Sequence, residues 1–337
     1  MPSEPSAVPR RPRLTPAVAD ARRAVRDSLA GLPEGSFVLV ALSGGPDSLA
    51  LAAATGFEAP RLRLRAGAVI VDHGLQAGSA VVAERAAEAA RALGLEPVQV
   101  ERVEVVGPGG PEGAARDARY AALEATAVRL GAAAVLLGHS LDDQAETVLL
   151  GLARGSGTLS IAGMAEVAGL YRRPLLGLRR AALAQACADQ SLEPWHDPHN
   201  DDERFARVRV RRSILPLLER DLDAGIVEAL ARTAAIARDD AEALDQMVDE
   251  VAEELVELPE GGCSLPVAWL AANPAALRNR VIRLVARTEF GVSLSRAQTL
   301  EVARLATDWH GQGPVHLPGI RVERVGGQLV FVAAASA

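Results

Sequence analysis

Phe37–Leu42 is a run of six apolar residues that ends directly on Ser43-Gly44-Gly45-Pro46-Asp47-Ser48, and this junction restricts the fold more than any other stretch of the chain. A segment apolar at every position suits a strand buried on both faces, as in the middle of a parallel sheet. Leu49–Ala54 is Ala/Leu-rich and reads as the helix that follows. Gly44 and Gly45 lack a Cβ, so the backbone can turn sharply there and approach a ligand closely. Successive N–H groups with a helix N-terminus behind them make a concave anion site. Ser43 and Ser48 add hydroxyl donors, and Asp47 adds a carboxylate suited to Mg²⁺ held against phosphate oxygens. Two glycines alone would fit an ordinary strand–turn–helix corner; the serines and the aspartate around them favour phosphate.

All 36 of the Lys+Arg residues are arginine. A Walker-type loop, which needs Gly-Lys-Ser/Thr, is therefore excluded, and so is Schiff-base chemistry on a protein lysine. The chain has 337 residues, enough for two domains and a large core, and 49% of them are hydrophobic. No apolar run approaches the roughly 18 residues that span a membrane. Met1–Pro16 has no apolar segment of the secretory kind and is expected to be a disordered tail (1–16), which with the two distant cysteines Cys187 and Cys263 points to a reducing cytoplasm. The net charge of −7 is unevenly spread: residues 221–260 carry thirteen acids against two arginines, while 204–212 hold five arginines and no acid. A local basic surface, not the net value, is what meets nucleic-acid phosphate.

Strand signals lie near 37–42, 67–71, 97–103 and 133–138, and helix signals near 16–30, 48–56, 79–93, 113–130 and 142–153. This alternation predicts an α/β fold with a Rossmann-like, doubly wound parallel sheet over 17–200. A helical middle region is expected over 201–258, basic and then acidic. Leu258–Leu265 reads as a linker, Gly107–Gly113 as a Pro/Gly-rich loop, and 266–337 as a small α+β domain.

In that sheet the strand ends bring three further segments to the loop. Asp72-His73 closes the second strand, either as a ribose- or base-reading position or as a plain strand-end turn. Gly138-His139-Ser140-Leu141-Asp142-Asp143-Gln144-Ala145-Glu146-Thr147 follows the fourth. There Asp142 can cap the next helix, and Asp143 and Glu146 share one face, placed to hold a divalent cation or an amine. Arg116 and Arg119 lie three apart on a helix, free to meet phosphates or those acids. Arg154 stands in a Gly-rich helix end that a simple C-cap explains equally well. Arg207, Arg209 and Arg211 alternate with apolar residues and suit bidentate phosphate contacts, although a solvated helix has the same pattern. Only 3% of the chain is aromatic, so backbone and shape recognition is a better expectation than base stacking.

Ser43–Ser48 resembles the pyrophosphate loop (PP-loop) of the N-type ATP pyrophosphatases, which cleave ATP between the α and β phosphates. Together with Val71–Leu75, Ala115–Tyr120, Gly138–Thr147, Arg154–Gly157, Arg173–Leu176, Trp195…Asp197…Asn200 and Arg207–Arg211, the chain resembles the tRNA(Ile)-lysidine synthase family across about 37–215. Val208 departs from the pattern, because the family usually has Asn there.

The resemblance implies an adenine nucleotide α-hydrolase-like fold and a carbon–nitrogen ligase. ATP adenylates C2 of the wobble cytidine in a CAU anticodon of tRNA-Ile; free L-lysine then displaces AMP. It further implies that Ser43, Gly44, Gly45, Pro46, Asp47, Ser48, Asp72 and Gly138 bind ATP and that Asp47 and Asp143 hold Mg²⁺. Asp47, His139, Asp142, Asp143 and Glu146 become the catalytic candidates, and Arg116, Arg119, Arg154, Arg207, Arg209 and Arg211 the phosphate or tRNA contacts. A homodimer stays open. The alternatives are a tRNA 2-thiolation enzyme, which needs cysteines near the loop, and a small-molecule amide synthetase with the same loop.

Overall fold

The computed structural model describes residues 14–74, 78–105, 110–155, 157–197, 201–257 and 262–334. The chain divides into two compact units, Met1–Ala235 and Ile236–Ala337. In chain order the first unit opens with α1 (Pro16–Leu29), β1 (Phe37–Ala41), α2 (Pro46–Glu58), β2 (Arg65–Asp72) and α3 (Ser79–Ala92). β3 (Val98–Arg102), α4 (Gly110–Leu130), β4 (Ala134–Leu137) and α5 (Leu141–Arg154) follow. Shorter elements come next: α6 (Thr158–Ile161), β5 (Val167–Ala168), β6 (Tyr171–Arg172), α7 (Arg180–Asp189), α8 (Ala206–Arg209) and α9 (Leu215–Asp221). α10 (Ile226–Leu255) runs across the division. β7 (Gly262–Pro266), α11 (Val267–Ala272), α12 (Ala275–Phe290), α13 (Arg296–Thr307), β8 (Val315–Leu317), β9 (Ile320–Val325) and β10 (Gln328–Ala333) complete the chain.

β1 is buried at every position and pairs in parallel with β2 on one side and β4 on the other. Its side chains alternate between two cores. Val38 and Val40 join Leu42 in the layer of α1, α2, α3 and α7, while Phe37, Leu39 and Ala41 join Leu123 and Ala127 of α4. The period of two is thus hidden in an all-apolar run because both faces are covered. The sheet order is β3-β2-β1-β4-β6-β5, with β5 the antiparallel edge. The chain moves outward from β1 through β2 to β3 and then returns to β4 on the other side. The order therefore reverses between β1 and β4, and the loops after these two strands face each other across the crevice where open α/β sheets take ligands.

The predicted strands and helices of the first unit all form, with ends shifted by three residues or fewer, and four expectations change. Gly110–Gly113 opens α4 instead of continuing a loop, since Pro111 at the second helical position has its φ already set for a helix; residues 107–109 lie outside the described residues. The helical stretch from 203 is interrupted. A π turn over Val210–Ile214 precedes Pro216, which lacks the N–H a regular ladder needs, and Leu215 N–H reaches back to Val210 O. The supposed linker contains a strand, β7, in which Cys263 and Leu265 are fully buried and pair with Phe331 and Leu329 of β10. Residues 258–261 lie outside the described residues, as do 1–13 of the expected tail, Leu75, Ser156 and Asn200. Finally, β5 and β6 add two short strands that no periodicity announced.

In the second unit four antiparallel strands in the order β7-β10-β9-β8 share a core with α11, α12, α13 and the later part of α10. Val248 and Leu255 of α10 pack into that core, so the acidic stretch carries an apolar stripe beneath its charges. Among the described residues no helix is long and apolar enough to cross a membrane.

Candidate active site

The loop after β1 is held by its own serines. Ser43 N–H donates to Ser48 Oγ (3.2 Å), the two hydroxyls lie 3.1 Å apart, and Ser48 Oγ donates to Gly45 O (3.0 Å). Gly44 takes φ +82°, a left-handed conformation that costs an L side chain but not glycine. Gly45 is the N-cap of α2 and offers no side-chain cap, which leaves the first N–H groups of α2 open to an anion. Trp195 N–H donates to Gly44 O (2.9 Å) and ties the irregular 193–197 segment to the loop. Gly138, at the end of β4, packs on the same helix start: a Cβ there would lie 3.1 Å from the Asp47 carbonyl and from Ser48 Cα. Its role in this structure is to let the two loops approach.

Beside the loop, at the carboxyl ends of β1 and β2, is a cavity of about 250 Å³. Leu42, Ile70 and Leu123 give it an apolar wall, and Ser43, Asp72, His73, Arg119, Trp195 and Asp197 give it polar groups. Asp72 accepts from Gly74 N–H (2.9 Å), so it also builds the strand-end turn. Burial opposes its ionisation, but the Gly74 N–H and the Ser79 hydroxyl outweigh it and hold the carboxyl below the usual range. Arg119 has no carboxylate or hydrogen-bond partner among the described residues, and desolvation lowers its pKa. Arg116 instead lies over the Tyr120 ring, 4.9 Å from its centre.

On the other side of the loop stands a dense cluster of charge. Ser140, not Asp142, caps α5: its hydroxyl accepts from Asp143 N–H, while Asp143 Oδ2 accepts from the Ser140 N–H (2.9 Å) and hydroxyl (2.8 Å). Asp142 points instead to α7, accepting from Arg180 N–H (2.7 Å) and from Arg179 Nε (3.3 Å). Asp143 and Glu146 do share a face, and Arg180 joins them, donating to Asp143 Oδ1 (2.9 Å) and Glu146 Oε1 (3.0 Å). Its Nε lies 3.5 Å from Asp47 Oδ2. Glu146 is 0% exposed and also receives Arg207 Nε (3.0 Å) and Arg211 Nε (2.8 Å).

The sequence sent Arg207, Arg209 and Arg211 together to tRNA phosphate. The structure turns Arg207 and Arg211, four apart, inward onto Glu146, and leaves Arg209 exposed between them, its guanidinium donating to the Glu203 and Arg204 carbonyls. Val208 is buried. Arg154 is exposed in the last turn of α5.

Burial, then the neighbouring Asp143, raises the Asp47 pKa to about 7, and its Oδ1 is buried without a hydrogen-bond partner. Burial also pushes His139 down to about 3, so the imidazole is neutral, with Nδ1 unpartnered. Against its own burial, Arg180 and the Ser140 N–H hold Asp143 below the usual range.

Arg179 and Arg180 were not singled out in the sequence, yet a signal was there. Two cations at the start of a helix oppose its dipole and need acids nearby to justify them. Arg180 has Asp47, Asp143 and Glu146; Arg179 has Asp142, Glu219 (2.9 Å) and Glu228 (2.9 Å).

Comparison with known proteins gives the family of both domains. Residues 19–218 match the family of the PP-loop domain, and 265–330 match the TilS substrate binding domain. A tRNA(Ile)-lysidine synthase of Leifsonia xyli subsp. xyli is 60% identical over 301 residues, covering 89% of this chain and 91% of its own length. That of Thermobifida fusca is 52% identical over 321 residues, covering 94% and 98%, and that of Streptomyces coelicolor 54% over 307, covering 89% and 86%. Among solved structures, a U34-tRNA thiolase of Methanococcus maripaludis with its [4Fe-4S] cluster aligns at TM-score 0.55 and 18% identity, covering 65% of this chain and 78% of the thiolase. That likeness concerns the fold alone. By sequence, by both of its domains and by the loop that joins β1 to α2, the chain belongs to the tRNA(Ile)-lysidine synthase family.

Proposed function

We propose that this site adenylates C2 of the wobble cytidine of tRNA-Ile bearing a CAU anticodon and then passes that carbon to the side-chain amine of free L-lysine. The chain is a carbon–nitrogen ligase that forms lysidine on tRNA-Ile and uses ATP through its PP-loop. The observation that carries the reading is the pairing of an uncapped loop–helix anion site with a nucleoside-sized cavity on one side and carboxylates on the other.

The nucleoside of ATP enters the cavity over β1 and β2, where Leu42 and Ile70 meet the base and Asp72 the ribose edge. Its phosphates lie on the Ser43–Ser48 loop, where Gly44 and the open N–H groups of α2 receive negative charge. Arg119 faces that charge from α4. Mg²⁺ fits here as an ion brought with ATP: Asp47 offers a buried, unpartnered Oδ1 and Asp143 a second carboxylate, while phosphate oxygens and waters complete the shell that this cation keeps. When bound, it neutralises charge on the phosphates as pyrophosphate leaves.

Magnitudes sort the remaining candidates. A free lysine amine has a pKa of about 10.4, so reaching the neutral form at pH 7 costs roughly 4.6 kcal/mol. An imidazole at about 3 is mismatched to that ammonium by about seven pH units, on the order of 10 kcal/mol. His139 therefore serves as a neutral hydrogen-bonding group and not as the base. Glu146 and Asp142 are committed to arginines. Desolvation of the lysine ammonium in the site lowers its pKa and offsets part of the cost. The cytidine leaves its stack at a cost of a few kcal/mol, which phosphate contacts from exposed arginines such as Arg209 offset. A cytoplasmic location follows from the substrates.

A thiolation enzyme would need reactive cysteines. Cys187 is buried, donates to Pro46 O (3.2 Å) and is pushed up to about 11, and Cys263 is buried in β7 and pushed up to about 12, both by desolvation. Neither is a thiolate at neutral pH.

The test supplies the protein with ATP, Mg²⁺, labelled lysine and a CAU tRNA-Ile transcript, with a U34 transcript as control. Label in the first alone, with one pyrophosphate per lysine, is the expected result. Pyrophosphate release dependent on a small carboxylate and indifferent to tRNA would replace this reading with the amide-synthetase one.

A further inference from the structure

Arg180 is the cation that touches Asp47, Asp143 and Glu146 together. We propose that it is a positioning residue that occupies the seat between Asp47 and Asp143 in the nucleotide-free enzyme, keeps a divalent cation from binding there alone, and leaves when the cation arrives with ATP. The inference rests on the reading of Ser43–Ser48 as the ATP loop.

Four features of the cluster support it. First, its charge already closes: three carboxylates (Asp47, Asp143, Glu146) face three guanidinium groups (Arg180, Arg207, Arg211). A bare divalent ion added to such a partly buried cluster gives up hydration with no surplus negative charge to compensate it, unless a guanidinium withdraws or a polyphosphate comes with it. Second, the other two acids lose little when Arg180 departs. Glu146 keeps Arg207 and Arg211; Asp143 keeps Ser140 and Arg211. Asp47 is the one of the three that loses its ion-pair contact, and it is the residue whose Oδ1 already lacks a partner. Third, the backbone beneath Arg180 is fixed. Its N–H is bonded to Asp142, and the preceding Arg179 is held by Asp142, Glu219 and Glu228. The side chain can therefore swing without moving α7. Fourth, a cation on the first turn of α7 lies at the positive end of the helix dipole, which lowers the cost of its leaving.

The experiment titrates Mn²⁺, followed by electron paramagnetic resonance, into the wild type and into Arg180→Gln, Arg180→Lys and the double variant Arg180→Gln/Asp47→Asn. Without nucleotide, Arg180→Gln should bind Mn²⁺ about ten-fold or more tightly than the wild type, Arg180→Lys should resemble the wild type, and the double variant should lose the gain. In the wild type, a non-hydrolysable ATP analogue should tighten Mn²⁺ by about ten-fold or more. That comparison needs no variant and stands even if Arg180→Gln fails to fold. Equal Mn²⁺ affinity in wild type and Arg180→Gln overturns the proposal, as does equal affinity of the wild type with and without nucleotide. A gain by Arg180→Gln for L-lysine in place of Mn²⁺ overturns it too, by assigning the seat to an amine. Lysine incorporation by the wild type is scored separately, so failure of the placeholder is distinguishable from failure of the ATP reading.

Discussion

Glu146 on α5 and Arg119 on α4 stand on opposite sides of the same phosphate loop, and the chain treats their charges in opposite ways. Glu146 is completely buried and answered by three guanidinium groups. Arg119 is desolvated beside the cavity and answered by no acid among the described residues. The first charge is answered within the protein; the second is not, among the described residues. A buried charge that is paired holds the fold together, whereas a buried charge left unpaired is a cost the protein bears until an anion of the right shape enters. On the function proposed above, the two sides of the loop act as a scaffold and a receptor.

The largest effect should come from Asp47, which sits on the boundary between them. Asp47→Asn is expected to lower lysidine formation by about a thousand-fold, as the loss of a group that organises charge in the transition state does, measured in single-turnover assays at saturating ATP. The same change should stabilise the empty protein in alkali. The Asp47 carboxyl is raised from 3.8 to about 7 by burial and Asp143, with Arg180 and Arg211 opposing. The folded state therefore binds the extra proton between these values, and stability falls as pH rises through that window. A shift of this size is worth on the order of 4 kcal/mol. Urea unfolding at pH 4 and pH 8 should show the variant equal to the wild type in acid and more stable at pH 8; an unchanged difference between the two pH values would show that burial does not hold a proton on Asp47.

The scaffold side is tested by Glu146→Gln, which keeps the shape and removes the charge. Arg180, Arg207 and Arg211 would then share only Asp47 and Asp143, and unfolding free energy should drop by about 3–5 kcal/mol. The receptor side predicts a contrasting pattern for Arg119→Ala. Stability should hold or rise, because an unpaired desolvated cation is removed, while affinity for ATP should fall by about ten- to a hundred-fold, the range of a lost hydrogen bond to a charged group. Calorimetric titration and chemical unfolding of the same samples separate the two. If both variants lose stability alike, the division into scaffold and receptor fails.

How much of this was readable in advance depended on how far apart the interacting residues lie. The β1–loop–α2 junction was legible because its signals are local: an apolar run, glycines where φ turns positive, an uncapped helix start. The Asp143/Glu146 face was legible for the same reason, since helical spacing is a local rule. The partners of Arg207 and Arg211 were not. An Arg/apolar alternation says which residues share a face but not what that face meets, and Glu146 lies about sixty residues away in the chain. β7 was hidden because its burial depends on β10, which follows sixty residues later. Arg180 was within reach by a physical rule, the mismatch of cations with a helix N-terminus, applied to the helical pattern that Arg179–Gln190 already shows in the sequence.

The smallest effect, and the finest division, concerns Arg209. It sits between two arginines committed to Glu146 and differs from them only in facing outward, with its guanidinium on the Glu203 and Arg204 carbonyls. Arg209→Ala should leave stability within about 0.5 kcal/mol, as surface substitutions do. It should weaken tRNA binding uniformly across sequences and reduce the salt slope by about one, the signature of a single phosphate contact. Arg207→Ala, by contrast, should show its main effect in unfolding, because its charge is already spent inside. Filter binding of tRNA between low and moderate salt, set beside the unfolding curves of the same two variants, decides whether adjacent positions in one basic stretch serve two different ends. An Arg207→Ala variant that changed the salt slope and not the stability would reverse the assignment.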